Sequence, residues 1–229
     1  MTTDAQPATL TLDDGQTVSA LLQSPPAPRA CYVLAHGAGA GMAHAFMAEV
    51  ADGLVQRGIA TLRYQFPYME RGSKRPDTPP VAHAAVRAAV ACAAREFGPL
   101  MLLAGGKSFG ARMTSQAQAI DPLPQVAGLV FLGFPLHPAG TPSTSRAEHL
   151  SKVEIPMFFA QGTQDKLADL DKLRPVVAGL GTRATLMTIE HADHSFHVPK
   201  RSGRDDEAVL KEVLDGVARW AEALRTEPH

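Results

Sequence analysis

Three residues have the types and spacing for nucleophilic catalysis: Ser108, Asp165 and His194, each starting a loop after a different apolar run. A serine hydroxyl attacks poorly until an imidazole takes its proton, and the imidazole needs a carboxylate to fix its tautomer and stabilise its charged form. Ser108 has the most specific setting. The apolar run Leu100–Ala104 leads into Gly105-Gly106-Lys107-Ser108-Phe109-Gly110, and the stretch that follows, to Ala119, has helical composition. Read as strand, sharp turn and helix, this segment forces Ser108 into strained backbone geometry and needs small residues at Gly106 and Gly110. The hydroxyl then stands clear of the sheet edge. The free N–H groups and positive end of the following helix favour an oxyanion beside it.

Two plainer readings compete for the same five residues. An ordinary N-cap serine in a glycine-rich turn has the same pattern. Gly106-Lys107-Ser108 also imitates the end of a phosphate-binding loop, but that motif requires glycine five residues before Gly106, where Met101 sits in the strand. Nucleotide binding is not expected.

The glycine-rich turn His36-Gly-Ala-Gly-Ala-Gly41 follows the apolar strand Cys31–Ala35 and exposes backbone N–H groups where open α/β sheets bind ligands. It reads either as an anion-stabilising loop with a donor near Ala38 or as a tight turn onto the next helix. Asp165 follows the strand Pro156–Ala160 and precedes the helical stretch Leu167–Ala178, placing it either to orient a histidine or to N-cap that helix. His191, His194 and His197 share one loop. With Asp193 they also form a ligand-rich cluster, which His36 and His44 could join as metal ligands, but no second His or Cys cluster supports a metal site.

The remaining sequence must position these groups. With 229 residues, 45% hydrophobic and 20% charged, the chain suits one α/β domain over 1–229 with a large core. A net charge of −1 with both signs scattered gives no electrostatic case for nucleic acid or a membrane surface. The first residues show no basic start or apolar run, and no segment approaches the ~18 apolar residues of a membrane span, so a soluble cytoplasmic protein is expected. Cys31 and Cys92 read as small core residues rather than a disulfide or zinc ligands.

Residues 8–12 and 18–24 around Asp13-Asp14-Gly15 predict an N-terminal β-hairpin, with the core running over about 30–225. Strands are expected at 31–35, 59–66, 100–104, 126–132, 156–160 and 184–189. Helices are expected at 44–56, 81–97, after Ser108, at 167–178 and at 206–224, where Val209, Val213, Val217, Trp220 and Leu224 mark a buried stripe. His83 and Arg87 fall on the wet face of the second helix. The alternation predicts a mostly parallel, doubly wound α/β sheet with right-handed crossovers. Pro67–Pro80 reads as a polar loop whose Arg71, Lys74 and Arg75 border the site. The Phe134–Arg146 loop is too short for a separate helical domain, leaving an open site with Phe134, Leu136 and His137 on its rim. His137 also reads as a solvated loop histidine.

Serine, acid and histidine in this chain order, after a glycine-rich turn on an earlier strand, resemble the α/β-hydrolases, in particular their small lidless dienelactone hydrolase-like and carboxylesterase-like members. The resemblance runs from about Ala30 to Trp220. It rests on His36-Gly37-Ala38-Gly39, Gly106-Lys107-Ser108-Phe109-Gly110 with Arg112, Gly162-Thr-Gln-Asp165 and Asp193-His194-Ser195-Phe196. It implies an α/β-hydrolase fold without a cap domain, Ser108 as nucleophile, His194 as general base and acid, and Asp165 as its orienting carboxylate. The N–H groups of Ala38 and Phe109 would form the oxyanion hole. His194 is preferred over His191 and His197 because the family's histidine commonly follows an acidic residue and precedes a small one.

Lys107 departs from the His, Gln or Tyr of many esterases, and either binds an anionic substrate group or points to solvent. With Phe134 and His137 it is a candidate substrate contact. The expected activity is hydrolysis of a small-molecule carboxylic ester or thioester through an acyl-enzyme, with no cofactor and no metal. The alternatives are a catalytically weak scaffold that binds a ligand or protein, and a serine peptidase acting on short peptides.

Overall fold

In a computed structural model, residues 4–226 are described, and their strands form one sheet of eight in the order β1-β2-β4-β3-β5-β6-β7-β8. β1 (Gln6–Thr11) and β2 (Thr17–Gln23) are the expected hairpin, turning at Gly15 with φ 83°. β2 also runs antiparallel to β4 (Ile59–Tyr64), which joins the hairpin to the main sheet. From β4 onward all pairings are parallel: β3 (Ala30–Ala35), β5 (Met101–Lys107), β6 (Val126–Leu132), β7 (Met157–Gly162) and β8 (Ala184–Ile189). All six residues of β3 are buried, as a continuous apolar strand covered on both faces must be.

Helices α1 (Ala45–Val55) and α6 (Asp206–Thr226) cover one face, where Met47, Val50 and Leu54 meet Val209, Val213, Val217 and Leu224. Trp220 is half-buried on the same stripe, its ring 5.6 Å from Phe158. The other face carries α3 (Pro79–Phe97), α4 (Phe109–Ile120) and α5 (Leu170–Gly179). Cys31 and Cys92 are free and buried there. Arg87 and His83 bind rather than face only water: Arg87 donates to the carbonyls of Ala117 and Asp121, and His83 bonds Gln116, so they tie α3 to α4. Among the described residues no helix is long and apolar enough to cross a membrane.

Three element boundaries differ from expectation for local reasons. The polar loop after β4 contains a short helix, α2 (Pro67–Glu70), begun by a proline at its first position, where the missing N–H costs nothing. α3 starts at Pro79 for the same reason. α5 begins at Leu170 because Asp169, not Asp165, caps it, accepting from the Asp171 N–H at 2.9 Å.

The strand order fixes where a ligand can bind. From β3 the chain moves outward to β4, then returns to add β5 on the opposite side. The carboxyl ends of β3 and β5 therefore flank a topological switch point, with a crevice between their diverging connections.

Candidate active site

Ser108 stands at that point, directly after β5, with φ 51° and ψ −110°. Such a conformation costs a non-glycine residue on the order of 1–3 kcal/mol, and is maintained here by the packing around it. A Cβ on Gly106 would lie 2.1 Å from the Ala35 carbonyl oxygen, and one on Gly110 2.6 Å from the same atom. Both glycines are therefore required by the close approach of β3. Ser108 makes no side-chain bond to the helix it precedes, which removes the N-cap reading.

Its Oγ instead lies 2.8 Å from His194 Nε2, and His194 Nδ1 lies 2.6 Å from Asp165 Oδ2. A carboxylate can only accept, so Nδ1 carries the imidazole proton and Nε2 accepts the Ser108 hydroxyl. The Asp165 side chain is fully buried, while that of His194 keeps 23% of its surface in water. Oδ1 of Asp165 accepts from the Leu167 N–H at 2.7 Å, and Oδ2 accepts a second bond from the buried Gln161 amide. Gln161 Oε1 accepts in turn from the Phe134 N–H at 2.9 Å, so this one side chain links the end of β6 to the carboxylate. Sequence reasoning passed over Gln161. An amide at the penultimate position of a buried strand was the available signal.

The His194 loop is shaped by Asp193, whose Oδ1 accepts from the N–H groups of Ser195 at 2.7 Å and His197 at 3.0 Å. His191 and Phe196 both take positive φ, 63° and 65°. The His197 side chain pairs with Asp206 at 2.8 Å and His191 is exposed, its backbone N–H donating to Thr163, whereas His194 makes the bonds to both Ser108 and Asp165. No group of three His, Cys, Asp or Glu among the described residues is arranged to hold a metal ion.

The glycine-rich turn after β3 is pinned from beneath. The Phe66 N–H donates to His36 Nε2 at 3.1 Å, and His36 Nδ1 donates to the Gly37 carbonyl at 2.8 Å. Burial pulls this imidazole's pKa down, keeping it in the neutral form these bonds need. Tyr68, on α2, accepts from the Gly39 N–H at 3.0 Å, and Gln65 accepts from the Met42 N–H at 2.8 Å. Ala38 is exposed at the crest of the turn. Phe109 is the first residue of α4, where a backbone N–H lacks an acceptor within its own helix.

A cavity of about 410 Å³ opens beside Ser108, lined by Ala38, Ala40, Phe46, Met47 and Leu167 together with His44, Lys107 and His194. Neither the Pro67–Pro80 nor the Phe134–Arg146 segment contributes to this lining. Phe134 is fully buried, its ring 5.4 Å from Phe131 and 5.9 Å from Phe159, and Leu136 is buried with it. Both belong to the core, after a left-handed turn at Gly133 (φ 72°). His137 is also buried: Nε2 accepts from the Asp169 N–H at 2.9 Å and Nδ1 donates to the Pro138 carbonyl, a bracing role between two loops. Arg71 is paired with Asp77. Lys107 does not point to solvent: it is buried, and Nζ donates to the backbone carbonyl of His194.

The sequence matches the family described as the alpha/beta hydrolase domain over residues 28–222. Among solved structures it is similar to a lidless a/b serine hydrolase from Xanthomonas campestris, at 21% identity and TM-score 0.74 over 96% of each chain. It is similar to a dienelactone hydrolase from Anabaena variabilis, at 19% identity and TM-score 0.76 over 96% of this chain and 97% of that one. It also resembles the esterase domain of a Rhodothermus marinus protein, at 15% identity and TM-score 0.73 over 96% and 99%. At these identities the structural likeness carries the fold, while the family match covers most of the sequence itself. The chain belongs to the alpha/beta hydrolase domain family.

Proposed function

We propose that the protein is a serine hydrolase that cleaves a carboxylic ester or thioester through an acyl-enzyme. The observation that carries this reading is the unbroken line from Ser108 Oγ through His194 to the buried Asp165, with contacts of 2.8 and 2.6 Å. Ser108 Oγ attacks the carbonyl carbon as His194 Nε2 takes its proton. Asp165 stabilises the resulting imidazolium without itself becoming protonated. The tetrahedral oxyanion is held by the N–H groups of Phe109 and Ala38, donors that contribute about 3–4 kcal/mol of barrier lowering each in comparable sites.

The imidazolium then protonates the leaving alcohol or thiol, leaving the acyl group on Ser108. Water, deprotonated by His194, attacks that ester and releases the acid. The apolar walls of the cavity suit an uncharged acyl group, and its volume lies within the range of small-molecule sites. Labelling with a fluorophosphonate probe tests the nucleophile. Wild type should label and Ser108→Ala should not; equal labelling of both would refute the assignment.

A further inference from the structure

Lys107 is next in sequence to Ser108, yet its ammonium is bonded to the segment that carries His194. Nζ donates to the His194 carbonyl, sits 5.1 Å from the Phe196 ring centroid and 5.9 Å from that of Phe46, and those two rings stack at 6.1 Å. A Cβ on Gly133 would come within 2.7 Å of Nζ, so a side chain there would push the ammonium from its place. The carboxylates of Asp165 and Asp193 act on the ammonium, the His194 imidazole lies beside Gly133 as Nζ does, and His44, the N-cap of α1, lines the same cavity. Gly37, which lies against the methylene stem of the lysine, and Gly133, directly after β6, bring no ionisable side chain.

The His194 loop needs such a tether. Two of its residues hold positive φ, and its other backbone ties grip His191, Ala192, Asp193, Ser195, Phe196 and His197 on either side of residue 194. Among the described residues, the Lys107 bond is the one made by the backbone of residue 194 itself. Burying an ammonium is unfavourable, and its bond to the His194 carbonyl and the pull of two carboxylates only offset that cost, so stability is weak ground for lysine here.

We propose that Lys107 is a positioning residue, a strut that fixes the spacing between nucleophile and base by being covalently joined to Ser108 and hydrogen-bonded to the His194 backbone. The inference rests on the serine hydrolase reading. Burial lowers the Lys107 pKa to about 8 against the pull of Asp165 and Asp193, so the charged form of the strut is lost just above neutrality.

The test compares wild type, Lys107→Met, Lys107→Gln and Ser108→Ala, assayed as full chains on p-nitrophenyl butyrate between about pH 6 and pH 10. Lys107→Met, which sheds a buried charge but leaves the His194 carbonyl without its partner, should melt within a few degrees of wild type, lose at least about tenfold in kcat, and keep KM within about threefold. Wild type should lose kcat along an alkaline limb centred near 8, and Lys107→Met should lack that limb. Lys107→Gln, which keeps one N–H donor without the charge, should recover part of kcat and also lack the limb. Wild-type kcat in Lys107→Met, or the same alkaline limb in both variants, would overturn the strut. Should Lys107→Met not fold, Lys107→Gln decides alone by the same two criteria. An inactive Ser108→Ala upholds the hydrolase reading whatever Lys107 shows, whereas a fully active one removes both.

Discussion

Replacing Gln161 with methionine keeps length and apolar bulk but deletes both hydrogen bonds of the buried amide. One is charge-assisted, to Asp165 Oδ2, and the other satisfies the Phe134 N–H. Losing a bond to a charged group costs about 1.5–3 kcal/mol, and stranding a buried N–H about 1–3 kcal/mol. The extra apolar burial of methionine offsets part of this, leaving about 3 kcal/mol, or a melting temperature lower by on the order of 10 °C for a chain of this size. The catalytic effect is separate: Asp165 would retain only Leu167 N–H and His194 as partners, so its carboxylate gains freedom to rotate. A fall in kcat of about tenfold with little change in KM is expected, because the group supports the transition state rather than ground-state binding. Thermal melts and ester kinetics on the purified variant read both quantities. A Gln161→Met protein that melts and turns over like wild type would refute the reasoning that this amide bridges β6 to the carboxylate.

Gly110→Ala places a Cβ 2.6 Å from the Ala35 carbonyl and 2.7 Å from the Ala35 side chain, and backbone must shift to admit it. A loss of about 1–3 kcal/mol in urea unfolding is expected, with reduced fluorophosphonate labelling as the start of α4 moves. His149, bonded to Ser115 at 2.8 Å, has its pKa lowered to about 4 by burial and by the charges of Arg112 and His83. The unfolded chain therefore binds this proton first, so the stability it contributes is complete above about pH 6.5 and drains away as the pH falls toward 4. Allowing for its partial exposure, about 2 kcal/mol of acid sensitivity should disappear in His149→Gln, measured as the difference in unfolding free energy between about pH 7 and pH 4.5. An unchanged difference would show that other groups dominate.

The sheet and its order of elements were legible because most buried strands carry an apolar run closed by glycine or a polar turn, even where a buried polar residue such as Arg63 or Gln161 interrupts or ends the strand. Ser108, Asp165 and His194 were legible as strand-end residues, and the structure brings their side chains into one line. What resisted reading was decided by contacts across the chain. Phe134 follows a strand in the same way whether it faces solvent or core, and the choice rests on a φ of 72° at Gly133 and on an amide 27 positions away. Asp165 and Asp169 are both plausible N-caps by type, and only the start of α5 separates the cap from the histidine partner. Lys107 carries a charge that argues for exposure, and only the carbonyl, two rings and two carboxylates gathered around it explain its burial.

The most direct test of the central claim is the mass of the intact protein, acid-quenched early in its reaction with p-nitrophenyl acetate. The expected result is a single acetyl adduct on wild type, mapped to the peptide containing Ser108, decaying as acid is released, and absent from Ser108→Ala. Turnover that proceeds without any adduct, and at the same rate in Ser108→Ala, would contradict an acyl-enzyme on this serine.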